Sequence, residues 1–309
     1  MSEIAARPVA ARARWHWLRQ LWRLPTGRFG LITVAVVGLV ALVSVFWTPY
    51  DPISIDVNAR WQLPSLAHLL GTDGTGRDIL SLIMGGARTT VFVAIGSGII
   101  ASVFGIVLAA LGSLTPRWAR ESMAVFIDIL IAFPVLLIAM MISSVWGGSL
   151  WVVIWSVGIG FGVSIARVTR PELRRVLQSD FIVAARSSGL SNTQVLWRHL
   201  LPNIAPVFIV QLSWSMAVAV LAEAGLSYLG YGASPTEPSW GVLLANLQAY
   251  IGIHPLAAVW PGLAITITVL GLNLLGDALR EATDPTLSRG RDPLHPPRAS
   301  IRHVPEVIS

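Results

Sequence analysis

DFIVAARSSGLSNTQVLWRHLLPN, residues Asp180 to Asn203, is a polar, arginine-bearing stretch set between strongly apolar segments. Its local signals predict two short helices with a sharp break. Phe181 to Ser188 has a helical composition, and Gly189 can adopt the left-handed conformation that ends a helix. Ser191 then opens a second helix, with Gln194 at the capping-box spacing. Val195 to Leu200 continues it, and Pro202 is expected to limit its length. Local signals leave two readings open: a folded docking hairpin hung between membrane spans, or an ordinary surface loop with two frayed helices.

The surrounding composition supplies the membrane. The chain has 309 residues, 54% hydrophobic and 12% charged, against about 25% charged in soluble domains. Mean hydropathy is +0.68. A spanning helix needs about 20 mainly apolar residues, and six candidates meet that requirement: about 30–47, 90–114, 122–144, 150–168, 206–222 and 256–275. These predict an all-α integral membrane protein. Residues 1–29 form a basic arm, 30–287 the transmembrane domain, with a polar loop at 170–203, and 288–309 a Pro- and Arg-rich tail expected to be disordered. Trp15, Trp17 and Trp22 among the arm's arginines suggest an amphipathic helix on the membrane surface.

Arginine placement orients the spans. The arm, the connection holding Arg117 and Arg120, the connection holding Arg170 to Arg198, and the tail all carry arginine. With six spans these four lie on one side, which the positive-inside rule makes the cytoplasm. Val145–Ser149 has no charge, and Glu223–Pro255 has glutamates but no arginine. The pI near 10.9 therefore reflects membrane orientation, with the lipid bilayer rather than nucleic acid as partner. The chain contains no lysine, so all 22 basic residues are arginine.

The residues of the quoted stretch also fit a known pattern. Ala184, Ala185, Gly189, Leu201 and Pro202 fall at the offsets of the "EAA loop" of bacterial ABC-importer permeases, with Val183 at the Glu position and His199 at the hydrophobe. The form with Arg186, Arg198, His199 and Asn203 resembles the dipeptide/oligopeptide/nickel subfamily, in its C-type permease subunit. Three further blocks resemble the same subfamily. Gly71-Thr72-Asp73, Gly76-Arg77-Asp78, Ser81 and Gly86-Ala87-Arg88 form the first, with Leu82 where arginine is usual. Glu223, Leu226–Gly230 and Pro238-Ser239-Trp240-Gly241 form the second, and Trp260-Pro261-Gly262 with Asn273–Arg280 the third.

The resemblance implies six transmembrane helices of the type I ABC importer permease fold with a cytoplasmic coupling-helix hairpin. It implies a bacterial cytoplasmic (inner) membrane location with both termini cytoplasmic. The implied partners are a second homologous permease subunit, two cytoplasmic ABC ATPase subunits and an extracytoplasmic solute-binding protein. ATP and Mg would be used by the ATPases, with no cofactor on this chain. Val183, Ala184, Ala185, Arg186, Gly189, Arg198, His199, Leu201 and Pro202 would couple to the ATPases. Asp73, Arg77, Asp78, Glu223 and Trp240 are candidates for the translocation path or for contact with the binding protein. The cargo class would be peptides or a related small solute, such as a nickel chelate.

Several chemistries are not written in the sequence. It has no GxxxxGK[ST] loop for ATP phosphates, no HExxH and no GxSxG. Cysteine is absent, and the six histidines show no ligand spacing, so no metal site is expected. An ion-coupled carrier would call for charges or broken helices at mid-membrane. An intramembrane enzyme would need a Ser/His or paired-Asp site within the spans. Asp128, inside the third span, is either a functional acid or a structural one, and Pro134 is a candidate kink. Glu223 faces either the path or water. In the second span Ala94, Gly98 and Ser102 form one small-residue row and Ala101, Gly105 and Ala109 another, for packing within the chain or against a second subunit.

Overall fold

A computed structural model describes residues 16–283, all helix and connection apart from one isolated bridge between Thr72 and Asp78. Trp15, most of the basic arm and the expected disordered tail at 288–309 lie outside the described residues.

A short α1 (His16–Arg23) turns at Leu24 into α2 (Pro25–Phe46), with proline in the first turn of the new helix, where its missing N–H breaks no bond. Leu21 is buried while Trp22 is exposed, so neighbouring residues of α1 differ in their surroundings. The next long helices are α3 (Ile79–Leu114), α6 (Leu150–Leu177), α9 (Leu201–Tyr228) and α11 (Pro255–Thr283). Among the described residues, five helices are long and apolar enough to cross a membrane.

The third predicted span, 122–144, is broken. It consists of α4 (Arg117–Ile131) and α5 (Val135–Trp146), bent by 74°. Pro134 caps α5, since its ring excludes the helical carbonyl four residues back and its nitrogen cannot donate. At 1.5 Å per residue the halves measure about 22 and about 18 Å, so neither alone crosses a hydrocarbon core of about 30 Å.

The other helices outrun their apolar windows. The second starts at Ile79 rather than near 90, the fourth runs to Leu177 rather than 168, and the fifth starts well before 206. In the added turns one face is covered by protein: Leu173, Val176, Ile79 and Leu82 are all buried.

Close backbone approach ties α3 to α6. A Cβ on Gly105 would lie 2.8 Å from Ile165 Cγ2 and 2.9 Å from the Gly162 carbonyl, so only glycine fits. On the other row, Gly98 faces Met216 and Leu212 of α9, and Ala94 packs with Ala217 and Val220. Both small-residue rows thus pack within the chain. The apolar core is layered along the bundle. A central layer joins α3, α5, α6 and α9 through Val93, Ala139, Val157 and Ala219. One end is closed by α10 (Trp240–Gln248), the other by the 180–203 hairpin.

Candidate functional site

The hairpin begins with α7 (Asp180–Ser187). Gly189 follows at φ +87°, its N–H bonded to the Arg186 carbonyl at 2.9 Å, while Leu190 N–H reaches the Ala185 carbonyl at 3.3 Å. This pair of bonds is the Schellman termination. Ser191 then caps α8 (Asn192–Val195): its hydroxyl accepts from Gln194 N–H, and Gln194 Oε1 accepts from Ser191 N–H at 2.9 Å. Both orphan donors of that helix start are satisfied by local sequence alone.

Pro202 does not limit the second helix. The chain passes through a π-helical turn (Leu196–Leu200) directly into α9, so that Asn192–Tyr228 is one continuous helical run. The wider turn just before Pro202 separates its ring from the preceding carbonyls, which removes the clash that would stop an α-helix. Asn203 Nδ2 donates to the His199 carbonyl at 2.7 Å, filling one acceptor in the disturbed turn. The hairpin is therefore rigidly continuous with a membrane helix.

Ile182, Val195 and Leu200 fix its position. All are fully buried, in one cluster with Leu108, Ile127, Val163, Leu173 and Ile204. Each such burial stabilises by about 1.5–3 kcal/mol, which makes a frayed loop untenable. The opposite face is open: Val183, Ala184, Arg186, Gly189, Arg198 and Pro202 are exposed, while Ala185, His199 and Leu201 are half-buried. Phe181 stands 6.3 Å from the His199 ring, and Arg186 reaches Asn192 Oδ1 at 3.5 Å. The structure adds two aromatics that the motif left out. Phe181 and Trp197 are exposed, Trp197 by 65%. Each stands beside a residue packed inward, the buried Ile182 or the half-buried Leu196.

At the other end of the bundle, Asp73, Arg77, Asp78, Glu223 and Trp240 form an interior scaffold. Asp73 Oδ1 accepts from the N–H groups of Thr75 and Arg77 at 2.8 and 3.0 Å, and Arg77 Nε donates to its Oδ2 at 2.9 Å. Asp78 caps α3: its Oδ2 accepts from Ser81 N–H at 2.8 Å and Ser81 Oγ at 2.7 Å, and its Oδ1 lies 3.0 Å from His68 Nδ1. Trp240 is buried against α3, with its indole N–H donating to the Ile83 carbonyl at 2.9 Å.

Glu223 opens neither to water nor to a path. It is completely buried, and accepts hydrogen bonds from Ser239 at 2.8 Å, Ser227 at 2.9 Å and Thr90 at 3.4 Å. These hydroxyls tie α9 to α3 and to the cap of α10. The sequence reading missed Thr90, Ser227 and Ser239 as partners because they come from three different segments, although Ser227 and Ser239 both sit in quoted motif blocks. Asp128 has a partner as well, Arg167 Nε at 3.8 Å, with both side chains more than half exposed. Among the described residues no cluster of His, Asp or Glu suits a metal ion.

With this geometry in view, comparisons with known proteins are direct. The family described as "Binding-protein-dependent transport system inner membrane component" matches residues 65–289. A Brucella suis protein carrying the name of a peptide transport system permease is 34% identical over 93% of this chain and 95% of its own length. The nickel transport system permease protein NikC of Escherichia coli is 33% identical over 84% of this chain and 94% of its own. An inward-facing structure of the MetNI methionine ABC transporter aligns with TM-score 0.55 at 20% identity, over 67% of this chain and 98% of that one. That likeness carries the fold alone.

Proposed function

The chain belongs to the family of binding-protein-dependent transport system inner membrane components, and from that premise we propose how this subunit of an ATP-driven importer works. It sits in a bacterial inner membrane with the hairpin and both termini in the cytoplasm. It pairs with a second homologous permease, two ABC ATPases and an external solute-binding protein. Hydrolysis of ATP with Mg takes place in the ATPases, and this chain performs none. The cargo is a peptide or a related small solute such as a nickel chelate, in keeping with the names of its relatives.

The observation that carries the mechanism is the hairpin's two-sided construction. One face is locked into the bundle by Ile182, Val195 and Leu200, and the other offers Val183, Ala184, Arg186, Trp197 and Arg198. Small and apolar side chains there suit a groove, and the two arginines suit carboxylates or carbonyls at its rim. The continuous run from Asn192 to Tyr228 transmits a push on α8 along the whole of α9. On the other side Leu173 and Val176 join α6 to the same cluster. Movement of the ATPases therefore rocks α6 and α9 as a rigid unit and switches access between the two sides. Gly189 holds the bend, and Pro202 sits where the rod leaves the hairpin.

Purification of the tagged chain from its native host tests this. Stoichiometric recovery of ATPase subunits, with hydrolysis stimulated by the solute-binding protein, is expected. Solute uptake by the chain reconstituted without any ATPase would refute it.

A further inference from the structure

Arginines from two helices, α4 and α6, meet around one cavity, although they lie about fifty residues apart in the sequence. A cavity of about 630 Å³ lies at the hairpin end of the bundle, lined by Arg117, Arg120, Arg170 and Arg174 together with Ser113 and Glu121. The single carboxylate in that lining, Glu121, is already paired with Arg117 at 2.9 Å. Among the described residues, Arg120, Arg170 and Arg174 form no ion pair within 4.0 Å. Arg170 Nη2 donates to the Arg120 carbonyl at 3.3 Å and Arg174 Nη2 to the Gly112 carbonyl at 3.5 Å. Arg170 Nε, Arg174 Nε and Ser113 Oγ are buried without a hydrogen-bond partner. Crowded guanidinium groups repel one another, and unpartnered buried polar atoms are costly. A multivalent oxyanion would relieve both, and guanidinium forks match phosphate oxygens.

Apart from Gln178, the rest of the wall is apolar. Ala124, Val125 and Leu177 also line the cavity. From Val125 an exposed apolar strip runs along α4 to Ile129, at the four-residue spacing of one helix face, and Phe133 is exposed in the break beyond it. Trp118, exposed at the start of α4, has the character of a membrane-interface anchor. A charged pocket continuing into an apolar strip is the shape of an amphiphile.

We propose that this cavity binds the phosphate headgroup of an anionic phospholipid, with an acyl chain lying along the Val125–Ile129 face of α4 toward Phe133. The proposed membrane orientation is used only to assign the lipid to the cytoplasmic leaflet. There, negatively charged lipids attract clustered arginines by about fivefold in affinity per residue. Such a lipid would hold the end of α4 against α6 beside the hairpin.

The test uses the purified full chain in nanodiscs of phosphatidylglycerol and phosphatidylcholine, followed by partial delipidation and native mass spectrometry of retained lipid. Retention of phosphatidylglycerol over phosphatidylcholine is expected. Arg120→Gln should weaken it by about fivefold, and Arg120→Gln with Arg174→Gln by about 25-fold. Arg120→Gln keeps the backbone carbonyl that Arg170 uses, so this variant separates binding from folding. Arg60→Gln, an exposed change at the other end of the bundle, should leave retention unaltered. Equal retention of both lipids, or undiminished retention in the double variant, would overturn the proposal. Displacement of phosphatidylglycerol by inorganic phosphate would overturn it too, by assigning the site to a free anion. None of these readouts involves ATPase or solute, so they stand or fall apart from the transport reading.

Discussion

Replacing Gly189 with valine isolates the role of the hairpin's bend. Gly189 sits at φ +87°, and a Cβ placed there meets nothing within 4 Å. The substitution therefore creates no collision; its whole effect is on the backbone. Left-handed conformation costs an ordinary L-residue about 1–2 kcal/mol, and a β-branched residue stands at the top of that range. A loss of about 2 kcal/mol is up to about a thirtyfold change in a local equilibrium. If the backbone leaves this conformation, the Gly189–Arg186 and Leu190–Ala185 bonds go with it, and α7 no longer holds its angle to α8. Membrane insertion and the buried anchors Ile182, Val195 and Leu200 are untouched, so the amount of protein in the membrane should stay near normal. Uptake, and stimulation of ATP hydrolysis by the binding protein, should both fall severalfold or more. Gly189→Asn should lie near wild type, since asparagine tolerates this region. Wild-type uptake and coupling in the valine variant would refute the reasoning. An asparagine variant as defective as valine would show that side-chain room, and not φ, decides the position.

Other changes give separate expectations. Gly105→Ala would place a methyl 2.8 Å from Ile165 and 2.9 Å from the Gly162 carbonyl, so α3 and α6 must part. A loss of about 1–3 kcal/mol is expected as a lowered thermal midpoint of the detergent-purified protein. Glu223→Ala removes the shared acceptor of Ser227, Ser239 and Thr90 and should cost about 1–3 kcal/mol. Glu223→Gln, which keeps an acceptor oxygen, should cost less in the same melt. Asp78→Ala removes the cap of α3 and the His68 contact. About 1–2 kcal/mol should be lost, read as faster hydrogen exchange at Ile79 to Leu82.

Local features of this molecule were legible because their causes are local. The Gly189 bend and the Ser191–Gln194 capping box each depend on residues within a few positions. Six spans followed from hydropathy, and the family blocks named the architecture. Three features needed tertiary information. Pro202 reads as a stop, yet the helix passes it, because the π turn at Leu196–Leu200 changes the register first. Pro134 reads as a kink but becomes a 74° break that divides the span. Span ends were drawn where apolar windows stop, whereas helices end where packing stops, as Leu173 and Val176 on α6 illustrate. The same limit hid the Glu223 network, one of whose partners, Thr90, comes from another helix. It also hid the arginine cavity, assembled from α4 and α6 across the bundle. Trp197 is exposed at a position that no motif marks.

The chain contains no cysteine, so a single Ala184→Cys variant reports on the hairpin without background. In intact cells a membrane-impermeant thiol reagent should leave Cys at this position unlabelled. In inverted vesicles it should label readily, and assembly with the ATPase subunits should block the label. Labelling from outside intact cells, or labelling from inside that assembled ATPase does not diminish, would contradict the placement of this hairpin as the lever between motor and membrane helices.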